Sequence, residues 1–286
     1  MTDLPQGTAE LTGCDEILVA ADGPVRIVTL NNPGNANAVN NRMHGAFARL
    51  WTALGEDADA RAVLLTGTGD FFSAGGDLVE WLHTHVENPV TRREGMRDAR
   101  RIVRDMIDFP LPIVAAVNGP AVGFGCSIAV LCDIVLMSDR SFFADTHVAS
   151  GLVAGDGGSV LWPLLMSLLK AKEYLLLGEK IRADKAVELG LANRVVPHAD
   201  IKAEGLALAH RLAALPARAV QDTKRTLNLH AERAVTAILE FGISAETECF
   251  TTPEHRAAID QFLNLSLIHI SEPTRLSLVS RMPSSA

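Results

Sequence analysis

The residues whose types and spacing could do chemistry lie in and around two glycine-rich segments, Phe72-Ser-Ala-Gly-Gly-Asp77 and Asn118-Gly-Pro-Ala-Val-Gly-Phe-Gly125. Each follows an apolar, strand-like run and leads into a helical pattern. A backbone amide at such a turn points outward without an acceptor, at the positive end of the helix dipole. Two such turns converging could hold one oxyanion. Which nearby side chain would move a proton is left open by these residues alone, and Asp133 and Asp145 read as structural. A serine needs an activating partner to act as a base at neutral pH, while an imidazole titrates there unaided. Asp156, inside Gly155-Asp-Gly-Gly158, could cap the helix that follows.

Other chemistries find less support. Gly67-Thr-Gly69 and Gly123-Phe-Gly125 begin like dinucleotide fingerprints, but the third glycine positions hold Phe72 and Ile128, and no Walker-type Gly-Lys-Ser/Thr occurs. No separate cofactor is expected. His83 and His85 form a His-x-His without accompanying ligands and sit beside Trp81-Leu82, so a packing face is expected there and no metal. Gly125-Cys-Ser127-Ile-Ala129 approaches a nucleophile elbow, yet Asn118 to Gly125 separates the strand from Ser127. A serine hydrolase using Ser127 is therefore carried as an alternative.

The elements that must position these residues follow from periodicity. Ile17-Leu-Val-Ala20 and Val25 to Leu30 flank Asp22-Gly23-Pro24 as a hairpin; Met43, Phe47, Leu50, Trp51 and Leu54 recur at helical spacing; Ala62-Val-Leu-Leu65 is a buried strand. A helix ends before Pro110, strands are expected at 112–117, 134–137 and 141–144, and a helix runs from near Gly158 toward Lys170. After Pro197 the pattern is helical, from Ile201 to Leu215, Ala217 to Leu229, Ala234 to Phe250, and from Glu254 onward. The expected organisation is a flexible N-terminus over 1–14, an α/β core over 15–197, a helical region over 198–264 and a tail over 265–286. That tail resembles the translation of a transposase adapter used in sequencing libraries and is read as non-native.

Composition bounds the function classes. The chain has 286 residues, 48% of them hydrophobic, with a net charge of -8, so nonspecific nucleic-acid binding is not expected. The start lacks a signal-peptide pattern and no apolar run is long enough to span a bilayer. Cys14, Cys126, Cys132 and Cys249 show no paired spacing, which fits a reducing cytoplasm.

Four segments in order carry a resemblance: Leu30-Asn-Asn-Pro-Gly-Asn-Ala-Asn-Ala-Val-Asn40, Phe72 to Leu78, Asn118 to Gly125 through Leu131-Cys-Asp-Ile134, and Gly151-Leu-Val-Ala-Gly-Asp-Gly-Gly158. Together they resemble the crotonase (enoyl-CoA hydratase/isomerase) superfamily across Ile17 to Asn264. The resemblance implies a spiral of ββα units with a C-terminal helical trimerisation region, a homotrimer or dimer of trimers, and an acyl-CoA thioester as ligand, coenzyme A entering as part of the substrate. It implies oxyanion-hole amides at Gly76 and Phe124, with substrate contacts from Ala36, Ala38, Val39, Ala74, Gly75, Asp77, Leu78 and Gly123.

The family's hydratases carry glutamates where this chain has Ser127 and His147, and its isomerases carry an acid one position before Asp156. The expectation is thioester-enolate chemistry, either double-bond isomerisation or an atypical hydration, with His147 or Asp156 moving the proton. The alternative within the resemblance is a non-catalytic acyl-CoA binder that has lost both acids.

Overall fold

The computed structural model describes residues 4–271. The hairpin forms as expected, β1 (Ile17–Asp22) pairing antiparallel with β2 (Val25–Leu30). Helix α1 (Asn41–Gly55) starts where the Asn40 side chain accepts from the Met43 amide, and it buries the periodic apolar set. It leads to β3 (Ala62–Gly67), parallel to β2. The short helix α2 (Leu78–Trp81), a π turn over Leu82–Val86 and the long α3 (Pro89–Asp108) then lead to β4 (Ile113–Val117).

From there a long strand, a short strand and a helix recur. The chain runs through β5 (Ala121–Val122), α4 (Phe124–Val130), β6 (Ile134–Ser138), β7 (Phe142–Ala144) and α5 (Gly158–Leu165). After α6 (Leu168–Leu177) come β8 (Ile181–Arg182), α7 (Ala183–Leu189) and β9 (Arg194–Val196). Two sheets result, ordered β1-β2-β3-β4-β6-β9 and β5-β7-β8.

Strands β3 and β4 are buried at every position, as central parallel strands covered on both faces must be. Alternate side chains serve the two faces. Val28, Leu65 and Ala115 join the core beneath α1 and α3. Ile27, Leu64 and Val114 join a second core with Leu208 and Ala209 of α8 (Ile201–Ala213). The remaining helices are α9 (Ala217–Ala234), a π turn over Val235–Leu239, α10 (Glu240–Cys249) and α11 (Pro253–Ser271). Lys224 of α9 docks this region on the sheet, its Nζ donating to Leu111 O at 2.8 Å and to Asp133 Oδ2 at 2.7 Å. Asp133 also accepts from the Ile113 amide at 2.7 Å, a structural role.

Three expectations change. The helix expected from Gly158 toward Lys170 is two helices, because Met166 is extended and Ser167 caps α6 by accepting from the Lys170 amide. The N-terminal stretch expected to be flexible is tied to the sheet from Thr8, which exchanges both backbone hydrogen bonds with Val19, and Cys14 is buried. Helical backbone in α11 continues past residue 264 to Ser271, and 272–286, the rest of the expected tail, lie outside the described residues. Among the described residues no helix is long and apolar enough to cross a membrane.

Two buried asparagines hold the loops that matter. Asn37, at φ 55°, accepts from the Asn32 amide and donates to Thr68 O and Phe71 O, each at 2.8 Å. Asn118 accepts from the Gly67 amide at 3.0 Å and donates to Gly69 O at 2.8 Å. Both tie neighbouring loops to the turn after β3, from which the first glycine segment departs. Asn37→Ala strips a buried donor and acceptor and leaves alanine at positive φ, so it is expected to cost about 3 kcal/mol. An unchanged urea midpoint would show that Asn37 is not a clamp.

Candidate active site

The two glycine segments run side by side. The Phe72 and Ser73 amides donate to Pro120 O at 3.1 and 3.2 Å, and the Val122 amide donates to Ser73 O at 2.9 Å. Gly75 sits at φ 91°, and a Cβ there would lie 2.6 Å from Val122 O, so the contact admits glycine alone. Phe124 opens α4, where its amide has no intrahelical acceptor. Neither the Gly76 nor the Phe124 amide donates to another backbone group in the described turns and caps. Both residues line one cavity of about 50 Å³ together with Ala74, Gly75, Leu78 and Gly123. Trp81 closes it, its ring so near that a Cβ on Gly76 would come within 2.6 Å of the indole.

Four further expected contact residues, Ala36, Ala38, Val39 and Asp77, are not among those lining this cavity. Ala36 O accepts from the Ala74 amide at 3.0 Å, and the Val39 amide donates to Gly75 O at 2.7 Å, so the Ala36–Val39 stretch, Ala38 included, braces the first turn. Asp77 caps α2 by accepting from the Glu80 amide at 3.1 Å, and accepts also from Asn35 Nδ2 at 3.0 Å.

His147, on the loop after β7, is the titratable side chain that lines the cavity. Its Nδ1 lies 2.7 Å from Asp145 Oδ1 and its Nε2 lies 3.4 Å from Asp156 Oδ2. Asp156 Oδ1 in turn accepts from Ser127 Oγ at 2.9 Å. Asp156 therefore does not cap α5, where Gly157 holds that position without a side-chain bond. Ser127 lies within α4, fully buried, and gives its proton to a carboxylate rather than to an imidazole nitrogen. The structural reading of Asp145 needs correction, since its carboxylate is the nearest partner of the imidazole. The signal was its place two residues before His147.

Glu246 has no counterpart among the expected residues. It projects from α10, 3% exposed, and its donor atoms, those of His147 and those of Asp156 lie within 4.8 Å of one another. Nothing in its local sequence marks it, because the helix packing alone brings it to the site. Both imidazole nitrogens face carboxylates, Nδ1 closely at 2.7 Å and Nε2 at the longer 3.4 Å, so Nε2 is the less tightly held of the two. His85, of the His-x-His, packs instead, stacking on Trp81 at 4.9 Å.

The electrostatics follow from this packing. Burial disfavours the His147 imidazolium, but the charges of Asp156 and Asp145 and their hydrogen bonds outweigh it and hold the pKa well above the usual histidine range. Burial would raise Asp156, yet His147 and the Ser127 hydroxyl keep it ionised and lower its pKa. Glu246 moves the other way, pushed well up by burial and by the charge of Asp156, with His147 only partly offsetting this. His44 of α1, buried against the Phe124 ring, is lowered to about 4 by desolvation.

Comparison with known proteins gives this geometry a family. Residues 21–266 match the enoyl-CoA hydratase/isomerase family. The chain is 29% identical over 250 residues to the short-chain-enoyl-CoA hydratase of Clostridium acetobutylicum, covering 87% of this chain and 95% of that protein. It is 30% identical over 230 residues to human enoyl-CoA delta isomerase 2, covering 79% of this chain and 58% of that one. The crystal structure of an enoyl-CoA hydratase/isomerase from Mycobacterium paratuberculosis superposes with a TM-score of 0.83 at 49% identity, covering 86% of this chain and 98% of that one. The match spans the sheet, both glycine turns and the helical region alike, and the chain belongs to the enoyl-CoA hydratase/isomerase family of the crotonase superfamily.

Proposed function

We propose that the protein binds an acyl-CoA thioester with its carbonyl oxygen between the Gly76 and Phe124 amides, and shifts a double bond along the acyl chain with His147 carrying the proton. The observation that supports this reading is the placement of one titratable side chain, His147, on the cavity that both amides line. As the α-carbon loses its proton, charge moves to the thioester oxygen, where two fixed donors are worth most. His147 Nε2 takes that proton, because Nδ1 is held by Asp145 at 2.7 Å, and returns it to the γ-carbon. A single proton carrier suffices for this transfer, whereas hydration needs groups to hold and ionise a water as well. Hydration is accordingly the second reading.

Ser127 supports the orientation of Asp156 in this scheme and forms no covalent intermediate. The four cysteines are unpaired, which suits a reducing cytoplasm. Exposed Leu168, Leu169, Leu176 and Leu177 on α6 suit burial between copies in a trimer or hexamer.

Mixing the protein with 3-enoyl-CoA and following conjugation by ultraviolet absorbance is expected to show turnover, and His147→Ala is expected to lower kcat by about a hundredfold or more. Binding of 2-enoyl- and 3-enoyl-CoA without turnover of either would instead favour the non-catalytic binder. The pH dependence has a definite sign. The base form of His147 grows as pH rises through a raised pKa, so the rate is expected to climb through neutrality with an apparent pKa above the ordinary 6.5. Asp145→Asn removes one stabilising anion and is expected to move that limb toward lower pH; a limb that stays put would detach Asp145 from His147. A fluorophosphonate is expected to leave Ser127 unlabelled, and mass-spectrometric detection of that adduct would revive the hydrolase.

A further inference from the structure

The carboxyl group of Glu246 has no place in the transfer just described, yet the fold has carried it to the catalytic histidine. It is 3% exposed, and its Oε2 is fully buried with no hydrogen-bond partner among the described residues. The approach is enforced by backbone packing, because a Cβ on Gly155 would lie 2.5 Å from Gly242 O and 2.7 Å from Glu246 Oε2. The loop ahead of α5 and helix α10 are therefore in direct contact, with Asp156 next in line. The donor atoms of Glu246, Asp156 and His147 lie within 4.8 Å of one another, a reach closed by a small side-chain rotation or one bridging water.

The charges around this point can be counted. The titratable groups facing His147 are Asp145 from the loop after β7, Asp156 from the loop before α5 and Glu246 from α10; His44 of α1 acts on Asp156 from the other side. One imidazolium cannot balance three buried carboxylates. Asp145 and Asp156 each have a bonded partner, at 2.7 Å from the imidazole and 2.9 Å from the Ser127 hydroxyl. Asp145 Oδ2 and Glu246 Oε2 both lack a donor among the described residues, a costly state for a buried carboxylate oxygen, but Asp145 is anchored to the imidazole through Oδ1 whereas Glu246 is not bonded to the ring. A proton on Glu246 removes that cost and turns the orphaned atom into a donor.

We propose that Glu246 is a positioning residue that stands as a neutral carboxylic acid and serves its O–H to the Asp156 carboxylate, fixing Asp156, and through it His147, for proton transfer. Asp156 then has a donor on each side, Ser127 at Oδ1 and the Glu246 acid from α10. The upward displacement of the Glu246 pKa agrees with this state. A third fixed anion here would also oppose a developing enolate, so neutrality at Glu246 favours the reaction as well as the fold. The kinetic part of the proposal rests on the acyl-CoA reading, and the charge state does not.

The test uses Glu246→Gln and Glu246→Leu in the full chain. The infrared spectrum of the substrate-free protein at neutral pH is expected to show the carbonyl stretch of a buried protonated carboxyl group, absent in both variants; its absence from the unmodified protein would overturn the charge state whatever the substrate. In the isomerase assay Glu246→Gln, whose amide still donates, is expected to keep kcat within about threefold and to leave the pH limb in place. Glu246→Leu, which cannot donate, is expected to lower kcat tenfold or more with KM within a few-fold, and to displace the limb. A limb shifted by one pH unit or more in Glu246→Gln would mean that Glu246 was an anion. Equal losses in both variants, with a lowered melting temperature, would mean a merely structural role, and both results overturn the proposal. If Glu246→Leu does not fold, the infrared band and Glu246→Gln decide alone.

Discussion

The imidazole of His147, held between the carboxylates of Asp145 and Asp156, is the interaction on which the site depends. Burial penalises a cation and would leave an isolated histidine neutral, as it does His44. Two anions at 2.7 and 3.4 Å reverse that outcome. The reversal needs three separated pieces of chain: the loop after β7 for Asp145 and His147, the loop before α5 for Asp156, and α4 for the Ser127 hydroxyl that keeps Asp156 satisfied. The ββα repeat brings the ends of these units together, and α10 then seals them from water.

The amide pair depends on a different constraint, the clamping of loops by buried asparagines. Asn37 and Asn118 saturate backbone groups that would otherwise need water, and so let irregular loops pack at the end of a buried parallel sheet. With those loops fixed, the two glycine segments can pair edge to edge, and Gly76 and Phe124 come to line one cavity. Trp81 then makes the cavity small, lying against Gly76 where any other residue would displace it.

Much of this was legible in the sequence, for identifiable reasons. The hairpin, α1, β3, β4 and the glycine turns announce themselves by periodicity and by Gly, Pro and Asn at turns, which are local signals. The two donor positions, Gly76 and Phe124, follow from those turns together with the family resemblance. Asp145 was visible as the acid two residues before His147, but its contact depends on the backbone bending so that its carboxylate meets Nδ1, and a loop conformation is not written in spacing. Asp77, expected as a substrate contact, also caps α2, since a helix of one turn begins directly after it. Glu246 had no signal at all: it lies in a helix of mixed polarity, and only the packing of α10 against Gly155 gives it a role.

The residues at 127 and 147 are linked through Asp156, which meets both. A hydratase glutamate at position 127 would put a carboxylate on α4, beside the site where Asp156 now sits 2.9 Å from the Ser127 hydroxyl. Two buried carboxylates at that distance could not both be ionised. Serine at 127 is compatible with aspartate at 156, because its hydroxyl supplies a donor to that carboxylate. Placed there, Asp156 faces residue 147 directly, and a glutamate at 147 would repeat the conflict that serine at 127 avoids. An imidazole, which accepts a proton and gains from each neighbouring anion, fits that position. The result is a buried histidine flanked by two acids.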